Sequence, residues 1–225
     1  MTETPLMPSA NEAGSFKMFR AMVGIGIACA LAIVATYQLT LPVITANKAE
    51  ALEKAIFNVL PGAATRVNYR WNGRRFEKIS PDIHGRDVIY VGLDKDNQLI
   101  GIAVEAGGQG FQDAIQLLYG FDPYKQHIVG FQVLESRETP GLGDKIDKDA
   151  AFKANFNALD ARLNDESTRL AHPIVTVKHG AKTHPWEVDA ITGATISSKA
   201  VGVILNNSVQ YWAPLIHQHL DELKE

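Results

Sequence analysis

The chain has 225 residues, a formal net charge of −3 and a pI near 6.2. That length suits one medium domain with an appendage, and the charge balance offers no basic surface to a nucleic acid. The single cysteine, Cys29, lies in an apolar run and cannot build a disulfide, a zinc site or a thiolate-held iron–sulfur cluster.

Residues 1–15 are polar, carry prolines and small residues, and read as a disordered tail. Lys17 and Arg20 then precede a stretch without charge from Ala21 to Asn47. Its densest part, residues 19–41, exceeds the roughly 20 residues that a membrane-spanning helix needs. A cleaved leader would also show a basic flank, but the run is long for one. A lipoprotein site at Cys29 fits poorly, because Gly26 stands where a larger aliphatic residue is usual. The reading is a single anchor over 16–43 that inserts in the lipid bilayer. Lys17 and Arg20 favour a cytoplasmic N-terminus, with the rest of the chain beyond the membrane.

Pro42 is placed to kink the chain there. Residues 44–62 follow as a juxtamembrane helix, with Leu52, Ile56, Val59 and Leu60 at helical spacing and Pro61-Gly62 as its stop. That helix either extends the anchor or lies on the following domain, 63–225.

The pattern then changes to strands. Residues 65–71 and 75–79 form a hairpin across Asn72-Gly73, 87–93 and 98–105 a second, and 115–121 and 128–136 a third around Asp122-Pro123. Consecutive hairpins predict an antiparallel sheet, so the fold class is α+β. A helix is expected over 150–163, from the stripe Phe152, Phe156, Leu159 and Leu163, and a short strand over 174–178. The last helix begins near Thr195. Val201, Ile204, Leu205, Val209 and Trp212 lie on one face, and Pro214 is expected to interrupt it after Ala213. Residues beyond Pro214 have room for one more short helix.

Two stretches carry the chemistry. The first is Asp189-Ala-Ile-Thr192-Gly193-Ala194-Thr195, with Ser197, Ser198 and Lys199 behind it. Small and hydroxyl residues suit a helix cap, and a helix start favours a phosphate through its unpaired N–H groups. Thr195 there would hold a phosphate or be esterified by one. Lys199, four residues on, lies on the same side of the first turn and would screen it. On these letters alone, an ordinary helix cap fits equally well. The second stretch is Glu138-Thr139-Pro140-Gly141-Leu142-Gly143, followed by Asp144 and Lys145. Its glycines permit close backbone approach, although a plain surface loop has the same composition. The glycines of 107–110 have the wrong spacing for a dinucleotide fingerprint.

The Asp-x-x-Thr-Gly-Ala-Thr stretch resembles the flavinylation motif of the FMN-binding subunits of two related ion-pumping complexes. These are the Rnf ferredoxin:NAD oxidoreductase and the sodium-pumping NADH:quinone reductase. Glu-Thr-Pro-Gly-Leu-Gly is similar to a second motif of that family, and Gly107-Gly-Gln-Gly110-Phe111 resembles its glycine-rich lead into a strand. Gly110-Phe111 stands where the family often has Gly-Tyr, and Asp149-Ala-Ala-Phe152 lacks a tryptophan that the family often has there.

What the resemblance implies is specific. Thr195 would carry FMN through a phosphodiester bond made by a flavin transferase. Asp189 would cap the turn or help the transferase recognise it. The 138–143 loop would lie beside the flavin, with Leu142 over a ring face and Lys145 near the ring's polar edge. The chain would be an electron relay among other subunits of a membrane complex in a bacterial inner membrane, with its FMN domain extracytoplasmic and no substrate conversion, catalytic residue or metal of its own. Length favours the Rnf branch; the alternative is the equivalent subunit of the sodium-pumping quinone reductase or a stand-alone membrane flavoprotein. A cofactor-free assembly module is a third reading, of another class.

Overall fold

The computed structural model describes residues 12–85 and 87–224. Two compact units divide the chain between Lys48 and Ala49.

The first unit is most of helix α1 (Glu12–Val59). From Phe16 to Leu39 its large apolar side chains are exposed on every side, Phe19, Met22, Ile25, Leu31, Ile33 and Tyr37 among them. A helix that is apolar all round and unburied suits lipid, and Phe16–Val59 is long and apolar enough to cross a bilayer. Pro42 lies inside α1, and the helix runs through it. The juxtamembrane stretch is therefore a continuation of α1 as far as Val59. The helix starts at Glu12, inside the stretch read as a tail; residues 1–11 lie outside the described residues.

The second unit is built on a seven-stranded sheet. Its strands are β1 (Thr65–Trp71), β2 (Phe76–Ile79), β3 (Val88–Leu93), β4 (Leu99–Gln109), β5 (Ala114–Asp122), β6 (His127–Glu135) and β7 (Leu159–Asp160). Their order is β2-β1-β3-β4-β5-β6-β7, antiparallel throughout, as three consecutive hairpins require. The sheet is buried on both faces, and strand alternation assigns residues to each. Ile89, Val91, Ile102, Val104, Leu117 and Tyr119 face the main core. Val88, Tyr90, Ala103 and Leu118 face the other way, toward Leu52, Ile56, Val59 and Leu60 at the end of α1.

That second contact is very close. Gly92 pairs with Gly101 and Gly120 with Gly130, which lays glycines across four neighbouring strands. A Cβ on Gly92 or Gly101 would stand 2.7 or 2.8 Å from a Leu60 methyl. One on Gly120 or Gly130 would meet the Val59 carbonyl oxygen. Gly130→Ala should therefore cost about 1–3 kcal/mol, since backbone has to move to admit the methyl. Thermal melting of the 49–225 unit would measure it; an unchanged midpoint would show that the helix end is not seated there.

Two sequence expectations fail. The helix expected over 150–163 shrinks to α3 (Ala150–Ala154), which follows a separate short helix α2 (Lys145–Lys148) and gives way to β7. Phe152, Phe156 and Leu159 are buried as the stripe requires. However, the Asn155 amide donates to the Phe152 carbonyl at 3.0 Å, and its oxygen accepts from the Asp189 N–H at 3.0 Å. Tertiary bonds of a poor helix former end the helix early. Conversely, α4 (Thr195–Gln218) continues through Pro214, because Trp212, Ala213, Pro214 and Ile216 are all buried. Packing there offsets the lost backbone bond. A 3-10 turn (Leu220–Leu223) follows. Gly107 and Gly108 also belong to β4, which runs past the expected end at residue 105 as far as Gln109.

The parallel pair β8 (Val175–Val177) and β9 (Glu187–Asp189) completes the unit. Helix α4 packs on β4 and β8, and Gly202 admits Thr176 where any side chain would collide. The middle of α4 is thereby fixed over β8 and the end of β4.

Candidate functional site

The turn before α4 is made by its own residues. The Ala194 N–H donates to the Ile191 carbonyl at 3.0 Å, and Gly193 has φ +85°, a conformation that disfavours any side chain at that position. Ser198 is fully buried. Its hydroxyl donates to the Ala194 carbonyl at 2.9 Å and accepts from the Ile191 N–H at 3.1 Å. Ser198 thus clamps the turn and has no surface to offer a ligand.

Ala194 is the N-cap of α4 and supplies no side-chain cap. The helix start therefore keeps the partial positive charge of its first N–H groups. Thr195 is the first helical residue and is exposed. It lines a cleft of about 300 Å³ with Phe111, Thr139, Leu142, Gly143, Gly193, Ala194, Ile196 and Ser197. Phe111, Leu142 and Ile196 are 61%, 50% and 59% exposed. Three large apolar side chains around one hydroxyl make a surface suited to a flat, apolar ring.

Glu138 joins the two sequence motifs. It is only 5% exposed, and Ser197 in the first turn of α4 donates its hydroxyl to Oε2. Oε1 accepts from the Gln112 N–H at 3.0 Å. Thr139 Oγ1 donates to the Gln112 side-chain oxygen at 3.1 Å. The 138–143 loop, the glycine lead and α4 are thus stitched at one carboxylate. Gly143 is needed for this approach: a Cβ there would lie 2.6 Å from Glu138 Oε2 and 2.7 Å from Ser197 Oγ. Across the cleft, the Leu142 Cδ2 methyl lies 3.9 Å from where a Gly193 Cβ would be.

A second hollow of about 270 Å³ lies on the other side of the turn, lined by Lys145, Asp149, Phe152, Asn155, His179, Asp189 and Thr192 among others. Asp189 Oδ1 accepts from the Gly180 N–H at 2.7 Å, and Oδ2 lies 3.4 Å from His179 Nδ1. Asp189 therefore anchors the 179–180 turn. Lys182 donates to Asn155 Oδ1 at 3.2 Å, and burial pulls its pKa down.

The sequence-derived residues thus divide. Thr139, Leu142, Gly143, Gly193, Ala194, Thr195 and Ser197 line the cleft, whereas Asp189, Thr192 and Lys145 line the second hollow. Glu138 and Ser198 are buried supports. Pro140, Gly141 and Lys199 are exposed and line neither space. Sequence reasoning missed Phe111, Ile196 and Gln112. Ile196 had a signal: it falls off the buried stripe of α4 and still is apolar.

Glu187, next to this turn, gives a pH handle. Its Oε2 accepts the Thr183 N–H at 2.7 Å and the His184 N–H at 3.0 Å, bonds that hold the carboxyl below the ordinary glutamate range. A lowered folded-state pKa adds stability above the unfolded value, and that stability is lost as pH falls through the folded value. Glu187→Gln should therefore lower the melting midpoint at neutral pH, change it little in acid where the parent carboxyl is already protonated, and so flatten the acid limb of the profile. A profile as steep as the parent's would remove Glu187 from the account.

A family model described as the FMN-binding domain matches residues 110–210, which span the cleft and both motifs. The chain is 34% identical over 200 residues to the G subunit of the ion-translocating oxidoreductase complex of Methanosarcina acetivorans, covering 87% of this chain and 93% of the relative. It is 31% identical over 193 residues to the G subunit of the Na(+)-translocating ferredoxin:NAD(+) oxidoreductase complex of Acetobacterium woodii, covering 84% and 86%. The fold is that of NqrC from Shewanella oneidensis, with a TM-score of 0.59 at 17% identity over 80% of this chain and 97% of that one. The C subunit of the Na(+)-translocating NADH-quinone reductase of Parabacteroides distasonis gives 0.56 at 21% identity, over 76% and 93%. With its apolar anchor, its FMN-binding domain and relatives matched over nearly their whole length, the chain belongs to the family of membrane-anchored G subunits of ion-translocating oxidoreductase complexes.

Proposed function

We propose that this chain relays electrons within an Rnf-type ion-translocating complex through FMN esterified to Thr195. One observation carries the reading: an exposed threonine hydroxyl at an uncapped helix start, inside a cleft of exposed apolar side chains. These residues fit the cofactor. The helix start would hold the phosphate, while Phe111, Leu142 and Ile196 would cover the ring. Gly143 lets its loop close onto Glu138 and Ser197, which brings the loop to the edge of the cleft. Lys199 would screen the phosphate from outside. Lys145, across the turn, would add positive charge. Bound FMN supplies the capacity to take and pass electrons singly. What the chain adds is position, exclusion of water by the apolar rim, and a tether that keeps the carrier from diffusing away.

Attachment would need a flavin transferase as a maturation partner. The Thr195 oxygen would form a bond to phosphorus of an activated flavin phosphoanhydride, whose nucleotide leaves as the hydroxyl gives up its proton. Lys17 and Arg20 before the anchor support a cytoplasmic N-terminus, with residues 63–225 on the far side of a bacterial inner membrane. The quinone-reductase relatives match here at 17–21% identity and the G-subunit relatives at 31–34%, which favours the Rnf reading over the quinone reductase.

Electron flow tests this function. In membranes holding the whole complex, the flavin of this protein should bleach when the electron donor is added and recover when the acceptor follows. A flavin that stays oxidised while the complex turns over would remove the chain from the path.

A further inference from the structure

The outer face of α4 does not look like a face made for water. Ile196, Lys199, Val203, Asn207 and Tyr211 recur at i, i+3, i+7, i+11 and i+15 and form one exposed stripe. Ile196, Val203 and Tyr211 are 59%, 59% and 55% exposed. Lys199 is the only Asp, Glu, Lys or Arg in the 24 residues of the helix. A solvent-facing helix surface ordinarily carries its charges there, whereas an interface core loses charge and gains aromatic residues. The stripe also borders a groove of about 450 Å³ between α4 and the ends of β4 and β5. Val203 and Asn207 line one side of it, and Glu105, Gly107, Gln109 and Gln116 are among those on the other.

The geometry points to this stripe and groove as the seat of a neighbouring protein of the same complex, presenting an apolar ridge with an acidic group opposite Lys199. The inference rests on the proposed electron-relay function, since a relay needs a protein partner near its carrier. Ile196 belongs both to the cofactor cleft and to the stripe. Val203 lies seven residues further, about 10 Å along the axis, so a partner seated there reaches the mouth of the cleft. The groove chemistry selects polypeptide over lipid. Its amides match a partner's backbone, whereas a single lysine gives an anionic membrane surface little to hold.

The test uses the intact complex in membranes, purified through a tag on one of its other proteins. Val203→Glu should keep its covalent flavin, and retention of this chain should fall about tenfold or more, since a charge in an interface core is strongly unfavourable. Tyr124→Glu, equally exposed at 58% on the β5–β6 turn, should be retained like the parent. A photo-crosslinking residue at position 203 should join another protein of the complex, identified by mass; this arm holds even if the glutamate variant folds poorly. Parent-like retention of Val203→Glu would overturn the inference. So would crosslinks only to lipid, only to a second copy of this chain, or to nothing. Absence of flavin from the parent protein would instead overturn the relay function alone.

Discussion

Thr195→Ala is expected to abolish covalent flavin while leaving the fold intact. The hydroxyl is exposed, and no hydrogen bond from it contributes to the described structure of the turn. Those bonds come from Ser198 and the backbone, so alanine at the first helical position is tolerated or slightly favourable. The melting midpoint should stay within about 2 °C, as for a neutral surface substitution. The denatured variant should carry no yellow colour, and the complex containing it should lose essentially all electron transfer. Thr195→Ser is the matching control: it keeps the oxygen and should keep partial attachment. If Thr195→Ala protein retained its flavin through denaturation, the attachment residue would lie elsewhere.

The second large effect is expected at Glu138. Its two carboxylate oxygens serve the buried Ser197 hydroxyl and the N–H of Gln112 at the exposed edge of the loop. Glu138→Ala leaves the buried Ser197 hydroxyl without an acceptor, at about 1–3 kcal/mol, and removes the charge-assisted bond from the Gln112 N–H. A net loss of about 2–4 kcal/mol should lower the midpoint by roughly 5–10 °C in a unit of this size. Glu138→Gln retains the shape and one acceptor and should lose only about 1–2 kcal/mol. Both variants are to be melted without flavin, so that cofactor binding does not add to the difference. Equal midpoints for Glu138→Ala and the parent would mean that the two motifs are not joined at this carboxylate.

Much of the fold follows from local pattern. The uncharged run up to Asn47, the alternation in the hairpins and the apolar face of α4 each reflect a period that one element imposes on its own residues. The failures have a common cause. Residues 150–163 carry a helical stripe, but Asn155 is bonded to Asp189, 34 positions away. Pro214 should end α4, but burial of Trp212 and Ile216 from both sides carries the helix on. No local rule contains either fact. The glycines facing Val59 and Leu60 fall inside the expected strands, but nothing in the local pattern shows that they are a seat for a helix end.

The candidate site shows the same division. Thr195 and Leu142 were legible because they lie inside motifs. That Glu138 reaches Ser197, 59 residues on, depends on how α4 lies against β4 and β8. Phe111 stands in a recognisable glycine-rich stretch, but its place in the cleft depends on how that stretch folds against the 138–143 loop and α4.

The central claim is that one hydroxyl, at the start of α4, bears the cofactor. The most direct measurement is tandem mass spectrometry of the peptide spanning residues 191–199, from protein made together with a flavin transferase. The account predicts that this peptide is heavier by one FMN less water, with the fragment series placing the added mass on Thr195. An unmodified peptide, or the added mass on Thr192 or outside this segment, would contradict it.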